Sequence, residues 1–146
     1  MGDLTVAGTF HNPQDARDLA FLGDFAGFRN EYLSDEAMLA VACEQHYLLM
    51  LYDQWDARME SAVLYLAARA GRPVIAFGNG WCGRQISKYG NGLLATPDHA
   101  ELLSLIRSVP RPGSEEYTSL LKGVERFRQA HSAVRLREQY LRELMS

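Results

Sequence analysis

Cysteine and long apolar runs are both scarce in this sequence. The chain of 146 residues has two cysteines, Cys43 and Cys82, too few for a disulfide framework or a cysteine-based metal site. Such low use of cysteine favours a reducing compartment. No segment reaches the roughly 18 apolar residues of a membrane helix, and the N-terminus has no signal-peptide pattern. We therefore expect a cytoplasmic protein without a transmembrane segment, and we place Cys43 in the core among apolar helix residues.

An excess of charge of one sign is also absent. Fifteen lysines and arginines stand against 18 aspartates and glutamates, a formal charge of -3, so the overall charge recruits no nucleic acid. The arginines late in the chain alternate with glutamates, which indicates a solvated helix face. No metal-ligand spacing relates the four histidines, and the sequence predicts no metal site. What remains is a chain long enough to bury a core of its own.

Short apolar runs alternate with helical segments, which is the pattern of βαβ units around a parallel sheet. The predicted strands cover residues 4–8, 25–30, 47–52, 73–77 and 92–95. The third is apolar throughout, so we expect it to be covered on both faces. The predicted fold class is α/β: a Rossmann-like three-layer α/β/α domain with about five parallel strands. Two strand orders, 3-2-1-4-5 and 2-1-3-4-5, share this pattern.

Capping residues and glycines delimit the predicted helices between these strands. The expected helices cover residues 12–23, 34–43, 60–70 and 84–89, and a further one follows Asp98. A long helical segment, about 115–144, closes the chain, with a kink expected at His131 and Ser132. We thus expect one domain over residues 1–146, with βα units in 1–110 and a C-terminal helical segment in 111–146.

Ligands of open parallel sheets bind beyond the carboxyl ends of the strands. The loop after residue 52 leads into a predicted helix N-terminus formed by Glu60, Ser61, Ala62 and Val63. Free backbone N–H groups there suit a diphosphate, and Arg58 just upstream would add positive charge. The alternative is that Ser61 only caps the helix and that Arg58 is solvated.

A second candidate loop carries a GxGxxG pattern, formed by Gly78, Gly80 and Gly83 after a predicted strand. Asp98 follows the next strand, near where a ribose-binding acid of a dinucleotide site belongs. Three features weigh against that function. The pattern follows the fourth strand rather than the first, its helix is expected to be short, and a helix cap explains Asp98 fully.

Several stretches, taken in order, point to one family. The segment 61–76, SAVLYLAARAGRPVIA, joins a phosphate-binding turn to a helix ending in Ala-x-Gly-x-Pro-Val and then to a strand. Further agreement comes from Val6-Ala7-Gly8, from Phe28 through Leu33-Ser34-Asp35-Glu36, and from residues 90–94. Over residues 4–144 the chain resembles the C-terminal, nucleotide-sugar-binding domain of GT-B-fold glycosyltransferases of the family-4 type.

The resemblance implies donor binding, with a nucleotide-diphospho-sugar as substrate and no separate cofactor. The base would lie near Arg29, Tyr32 and Leu33. The diphosphate would meet residues 60–63 together with Arg58. The sugar would reach the loop after the fourth strand, at Gly78, Gly80 and Arg84.

The chain also departs from that family. Two glutamates eight positions apart are usual there, and their positions hold Arg58 and Leu66, while Arg84 replaces a third. We expect this chain to lack the N-terminal acceptor domain of such enzymes, which a parent protein would supply as a partner. The chain is then expected to be half of a hexosyl-type transferase, inactive alone, whose last helix lacks its usual partner. Two alternatives stay open: a degenerate scaffold or partner-binding module, and a dinucleotide-binding domain.

Overall fold

The structure, a computed structural model, describes residues 4–9, 27–52 and 60–145. The predicted helix at 12–23 and the candidate Arg58 lie outside the described residues. The described part is α/β with parallel strands in two small sheets, which confirms the predicted fold class. The chain divides into two compact units, Met1–Met38 and Leu39–Ser146. The single domain over 1–146 stays a prediction.

The first unit holds a two-stranded parallel sheet. Strand β1 (Val6–Gly8) pairs in parallel with strand β2 (Phe28–Asn30). Each strand is shorter at its start than the sequence predicted. Ser34 then opens helix α1 (Asp35–Glu44), since its hydroxyl accepts a hydrogen bond of 3.2 Å from the Ala37 amide. The predicted Ser34 cap is therefore confirmed.

The second unit is built on a three-stranded parallel sheet with α-helical crossovers. Its strands are β3 (Leu48–Met50), β4 (Val74–Phe77) and β5 (Gly92–Ala95). Helix α2 (Ala62–Ala70) connects β3 to β4, and helix α3 (Gly80–Tyr89) connects β4 to β5. Since the three strands are parallel, their carboxyl ends lie at one edge of the sheet, where both helices begin.

The strand pairs decide between the two orders that the sequence left open. The structure has the pairs β1–β2, β3–β4 and β4–β5. All three occur in the order 2-1-3-4-5, whereas the order 3-2-1-4-5 separates β3 from β4. The observed pairing of Leu48 with Val74 thus excludes the second order.

Three more helices complete the second unit: α4 (His99–Ser108), α5 (Glu115–Ala130) and α6 (Ala133–Met145). The predicted kink at residues 131 and 132 is a complete break between α5 and α6. Helix α5 packs against α2 and α3. Its Gly123 is required there, because a Cβ at that position would overlap the carbonyl oxygen of Gly90.

The core of the second unit lies between one face of the sheet and helices α2, α3 and α5. Its largest fully buried side chains include Phe127, Met50, Leu64 and Ile86. Side chains alternate along a strand, so Leu49 and Leu51 point away from the face that carries Met50. These two leucines are 37% and 38% exposed. The expectation that β3 is covered on both faces is therefore wrong.

Cys43 is exposed, which corrects its predicted place in the core. The buried residue of α1 is its neighbour Ala42, and consecutive residues of a helix point about 100° apart. The backbone at Cys43 still has a structural role, since its carbonyl accepts a hydrogen bond of 2.6 Å from the Arg72 guanidinium. Cys82, in contrast, is buried.

Candidate functional site

The candidate site is the edge of the three-stranded sheet where β3 and β4 end and helices α2 and α3 begin. Backbone N–H groups at helix N-termini are unsatisfied within the helix, and the helix dipole is positive there. Helices α2 and α3 follow two adjacent strands, so the positive potentials of their N-termini add at one edge of the sheet. The parallel pairing of Met50 with Ala76 brings the two strand ends together.

Ser61 occupies the N-cap position of α2. Its backbone is extended, and its hydroxyl accepts a hydrogen bond of 3.2 Å from the Val63 amide. The Leu64 amide donates to the Ser61 carbonyl at 3.1 Å. Ser61 itself is 2% exposed, whereas Ala62 is exposed. Ser61 therefore caps the helix, as the alternative interpretation of the sequence held. The cap occupies the Val63 amide, which was among the N–H groups expected to be free for a diphosphate.

Helix α3 begins differently, after a turn of two residues, Gly78 and Asn79, that follows β4. Asn79 stands at its N-cap position but makes no side-chain capping bond to the helix. Gly80 is the first helical residue and has φ of +61°, a left-handed conformation that favours glycine. The expectation that the helix begins at residue 84 is wrong by one turn, because Gly80 lets the chain turn into the helix at once.

The third glycine of the pattern is required by close packing. A Cβ at Gly83 would lie 2.7 Å from the carbonyl carbon of Gly78, a contact that the backbone cannot absorb. At Gly78 the nearest neighbour of a Cβ would be Leu94 at 3.9 Å, an ordinary contact. Gly80 therefore serves the turn into the helix, and Gly83 serves close packing of the helix on the end of the strand.

The first turns of α2 and α3 contact each other. The Ser61 backbone hydrogen-bonds the Cys82 thiol, and the Tyr65 ring lies 6.1 Å from the Trp81 ring between centroids. The Tyr65 hydroxyl donates to the Glu60 carboxylate at 2.6 Å. Sequence reasoning missed Tyr65, Trp81 and Cys82, although two aromatic residues near predicted helix starts were a visible signal.

These surroundings favour the neutral forms of the Tyr65 phenol and the Cys82 thiol. Burial raises the pKa of the Tyr65 phenol, and the nearby Glu60 carboxylate raises it further. Burial also raises the pKa of the Cys82 thiol, against the smaller opposing effect of the Ser61 backbone hydrogen bond. A buried thiol held neutral is a poor nucleophile.

The remaining predicted site residues lie in several places. Arg84 is exposed in the second turn of α3. Asp98 caps α4, as its carboxylate accepts from the Glu101 amide at 2.9 Å. In the first unit, Arg29 is exposed in β2, Tyr32 is 84% exposed and Leu33 is half-buried.

An aromatic cluster lies beside the edge, between α2, α3 and the end of α5. His131 stacks on Phe127 with 4.1 Å between ring centroids, and its ring is 6.3 Å from Trp81 and 5.9 Å from Tyr65. His131 is thus a packing residue. Among the described residues, no group of three or more His, Cys, Asp or Glu side chains is placed to hold a metal ion.

Comparison with known proteins identifies no relative: no family model matches the chain, and no curated protein matches it significantly. Within the ranges that the structure describes, every helix is too short or too polar to cross a membrane.

Proposed function

We propose that this chain binds a nucleotide-diphospho-sugar at the carboxyl edge of β3 and β4 and serves as the donor-binding part of a glycosyltransferase-like protein. The diphosphate would lie against the first turn of α3, with the N-terminus of α2 beside it. An acceptor-binding domain of the GT-B type would supply the other half of the active site. The acceptor and the transferred sugar are left open by this proposal.

The observation that carries the proposal is the start of α3. Gly80 turns the backbone from strand to helix, and Gly83 keeps that turn close to β4. Backbone amides in such a turn bind phosphate oxygens without any carboxylate or metal ion. The absence of glutamate at Leu66, which is half-buried in α2, is compatible with this mode of binding.

A dinucleotide is the second candidate ligand, because the same two glycines also suit its pyrophosphate. One objection from the sequence has weakened, since α3 has ten residues rather than the short helix expected. Another objection is stronger. The carboxylate of Asp98 is used in capping α4 and is not available for a ribose in that arrangement.

The first experiment measures the thermal unfolding midpoint of the chain with UDP, GDP, ADP, their sugar conjugates and NAD. A ligand that binds only the folded state raises the free energy of unfolding by mass action, by about 2.7 kcal/mol at a hundredfold excess over Kd, and so raises the midpoint temperature. We expect a shift with one nucleoside diphosphate and its sugar conjugate. A shift with NAD alone favours the dinucleotide site, and no shift favours a scaffold without ligand.

A charge variant locates the bound phosphate. Asn79→Asp keeps a good N-cap residue but adds a negative charge where the diphosphate is proposed to lie. We expect Kd for the nucleotide, measured by titration calorimetry, to rise about tenfold, or about 1.4 kcal/mol.

The matched control is Ser114→Asp, an N-cap substitution with the same change in charge. Ser114 caps α5 near the opposite edge of the sheet, where the Tyr117 hydroxyl donates to the His46 carbonyl just before β3. Nucleotide affinity should be unchanged in this variant. An equal loss of affinity in both variants would mean that net charge, and not the start of α3, determines binding.

A further inference from the structure

A groove between helices α5 and α6 gathers arginine side chains. It has a volume of about 560 Å³, within the usual range of sites for small ligands. One side is lined by α5 and the other by α6, through Arg126, Gln129, Ala130, Arg135, Arg142 and Glu143. Three guanidinium groups thus share the groove with one carboxylate, so the groove carries an excess of positive charge.

The tertiary structure brings these three arginines together from two helices. Arg135 and Arg142 are seven residues apart on α6, so they lie on the same face of that helix, two turns apart. Arg126 is on α5, and its guanidinium donates a hydrogen bond of 2.7 Å to the Tyr89 carbonyl at the end of α3. A guanidinium has five N–H donors, so this bond holds the charge in place and leaves other donors for a ligand.

The arginines of the groove are not neutralised by neighbouring acids. Glu125, the nearby acid of α5, pairs with Arg128 and accepts a further hydrogen bond of 2.8 Å from the Gln129 amide. Within the part of the chain that the structure describes, no carboxylate forms an ion pair with an arginine of the groove. An anion in the groove would therefore relieve the repulsion between like charges and meet several charge-assisted donors at once.

We propose that this groove binds a small molecule that carries a chain of phosphate groups. Guanidinium groups pair with phosphate oxygens in bidentate geometry, and arginines from two helices suit an anion with more than one phosphate. A nucleic acid suits the chain less well, since the overall formal charge is -3. The proposal does not rest on the nucleotide site at the starts of α2 and α3, because Arg126 contacts the opposite end of α3.

Titration calorimetry of the whole chain with tripolyphosphate at low ionic strength tests the site. We expect saturable binding, about tenfold tighter than that of inorganic phosphate, because the longer anion contacts more than one arginine. Arg135→Gln and, separately, Arg142→Gln should each raise the Kd about tenfold, and circular dichroism checks that α6 stays helical. A chain without saturable tripolyphosphate binding overturns the proposal, and so does equal affinity for the two anions.

Arg137→Gln is the matched control, since it removes the same charge from α6 at a position outside the lining of the groove. The Kd for tripolyphosphate should be unchanged in this variant. A loss of affinity equal to that of Arg135→Gln would mean that net charge determines binding, and it would overturn the proposed site.

Asn79→Asp separates this proposal from that of the nucleotide site. It should leave tripolyphosphate binding in the groove unchanged. If Asn79→Asp abolishes that binding while the arginine variants keep it, the anion binds at the start of α3 and the groove is not a site. ATP carries the same phosphate chain and distinguishes two sources of the ligand. An equal Kd for ATP and tripolyphosphate favours a free phosphate chain, and a lower Kd for ATP favours a nucleotide.

Discussion

Helices α5 and α6 follow each other in the chain and have similar amphipathic character, yet they have opposite environments. Helix α5 buries Tyr117, Gly123, Val124 and Phe127. Helix α6 buries none of its described side chains. The difference is one of shape as well as polarity. Gly123 lets α5 approach the backbone at Gly90, so that Phe127 reaches the core, whereas α6 has no glycine and carries Arg137 within its apolar half.

An apolar helix face thus does not by itself indicate what covers it. In α5 the rest of the folded chain covers that face, whereas the apolar side chains of α6 are exposed. The comparison predicts that substitutions in α5 change the stability of the fold. Equivalent substitutions in α6 should leave that stability nearly unchanged.

The largest effect is expected at Phe127. Phe127→Ala removes a fully buried ring from the core between α2, α3 and the sheet. We expect the free energy of unfolding, measured by urea denaturation, to fall by about 3–5 kcal/mol.

Leu144→Ala is the counterpart in α6. Because Leu144 is exposed, this variant should stay within about 0.5 kcal/mol of the native stability. A loss comparable with that of Phe127→Ala would show that α6 packs on its own chain, which would remove the contrast between the helices.

A smaller effect on stability is expected at the N-caps of α5 and α6. The hydroxyl of Ser114 accepts from the Tyr117 amide at 3.1 Å, and that of Ser132 accepts from the Arg135 amide at 3.3 Å. Ser114→Ala should lower the free energy of global unfolding by about 1 kcal/mol, because α5 is part of the core.

Ser132→Ala should instead fray α6 locally. Hydrogen exchange would then be faster at α6 amides, with global unfolding unchanged in a dilute sample. Equal losses of global stability from the two caps would contradict the contrast between α5 and α6.

The smallest effect concerns alkaline pH. The Tyr47 hydroxyl donates to the Pro110 carbonyl at 2.8 Å, and its ring packs edge-on against Tyr117 of α5. Burial raises the pKa of Tyr47 to about 12 from its usual 10, with a further contribution from Tyr117. The folded chain thus holds this proton more tightly than the unfolded chain, so stability should fall as pH rises from 10 to 12.

Urea denaturation at several alkaline pH values measures this slope, and Tyr47→Phe should flatten it. At neutral pH the same substitution removes one hydrogen bond and should cost about 1 kcal/mol or less. Tyr140→Phe, at an exposed position of α6, is the matched control. An unchanged slope in Tyr47→Phe would assign the loss of alkaline stability to other groups.

Much of the local structure was predictable from short-range signals. The caps at Ser34, Ser61 and Asp98 and the helix end at Gly71 follow from residue types at known positions. Strand β5 was predicted at residues 92–95, as observed. These features depend on hydrogen bonds and conformations within a few residues, so the sequence contains all that is needed.

The candidate site was predicted only in outline. The two loops follow from the rule for parallel sheets. The sequence, however, placed the diphosphate at the start of α2, whereas we propose from the structure that it lies at the start of α3. The contact between the Ser61 backbone and Cys82 joins residues distant along the chain, and periodicity does not reveal such contacts. The exposure of Cys43 and of Leu49 was mispredicted for the same reason, since it depends on what the rest of the chain covers.

The sequence by itself determined the α/β class, the positions of most helices and strands, the glycine turn before α3 and the amphipathic character of α5 and α6. All of these follow from local propensity and from the period of apolar residues. The tertiary structure alone decided that β3 pairs with β4, that Gly83 packs on the end of β4, and that α5 is buried while α6 is exposed. The physical reason is that burial and strand pairing are relations between distant segments, which several arrangements of the same local pattern can satisfy.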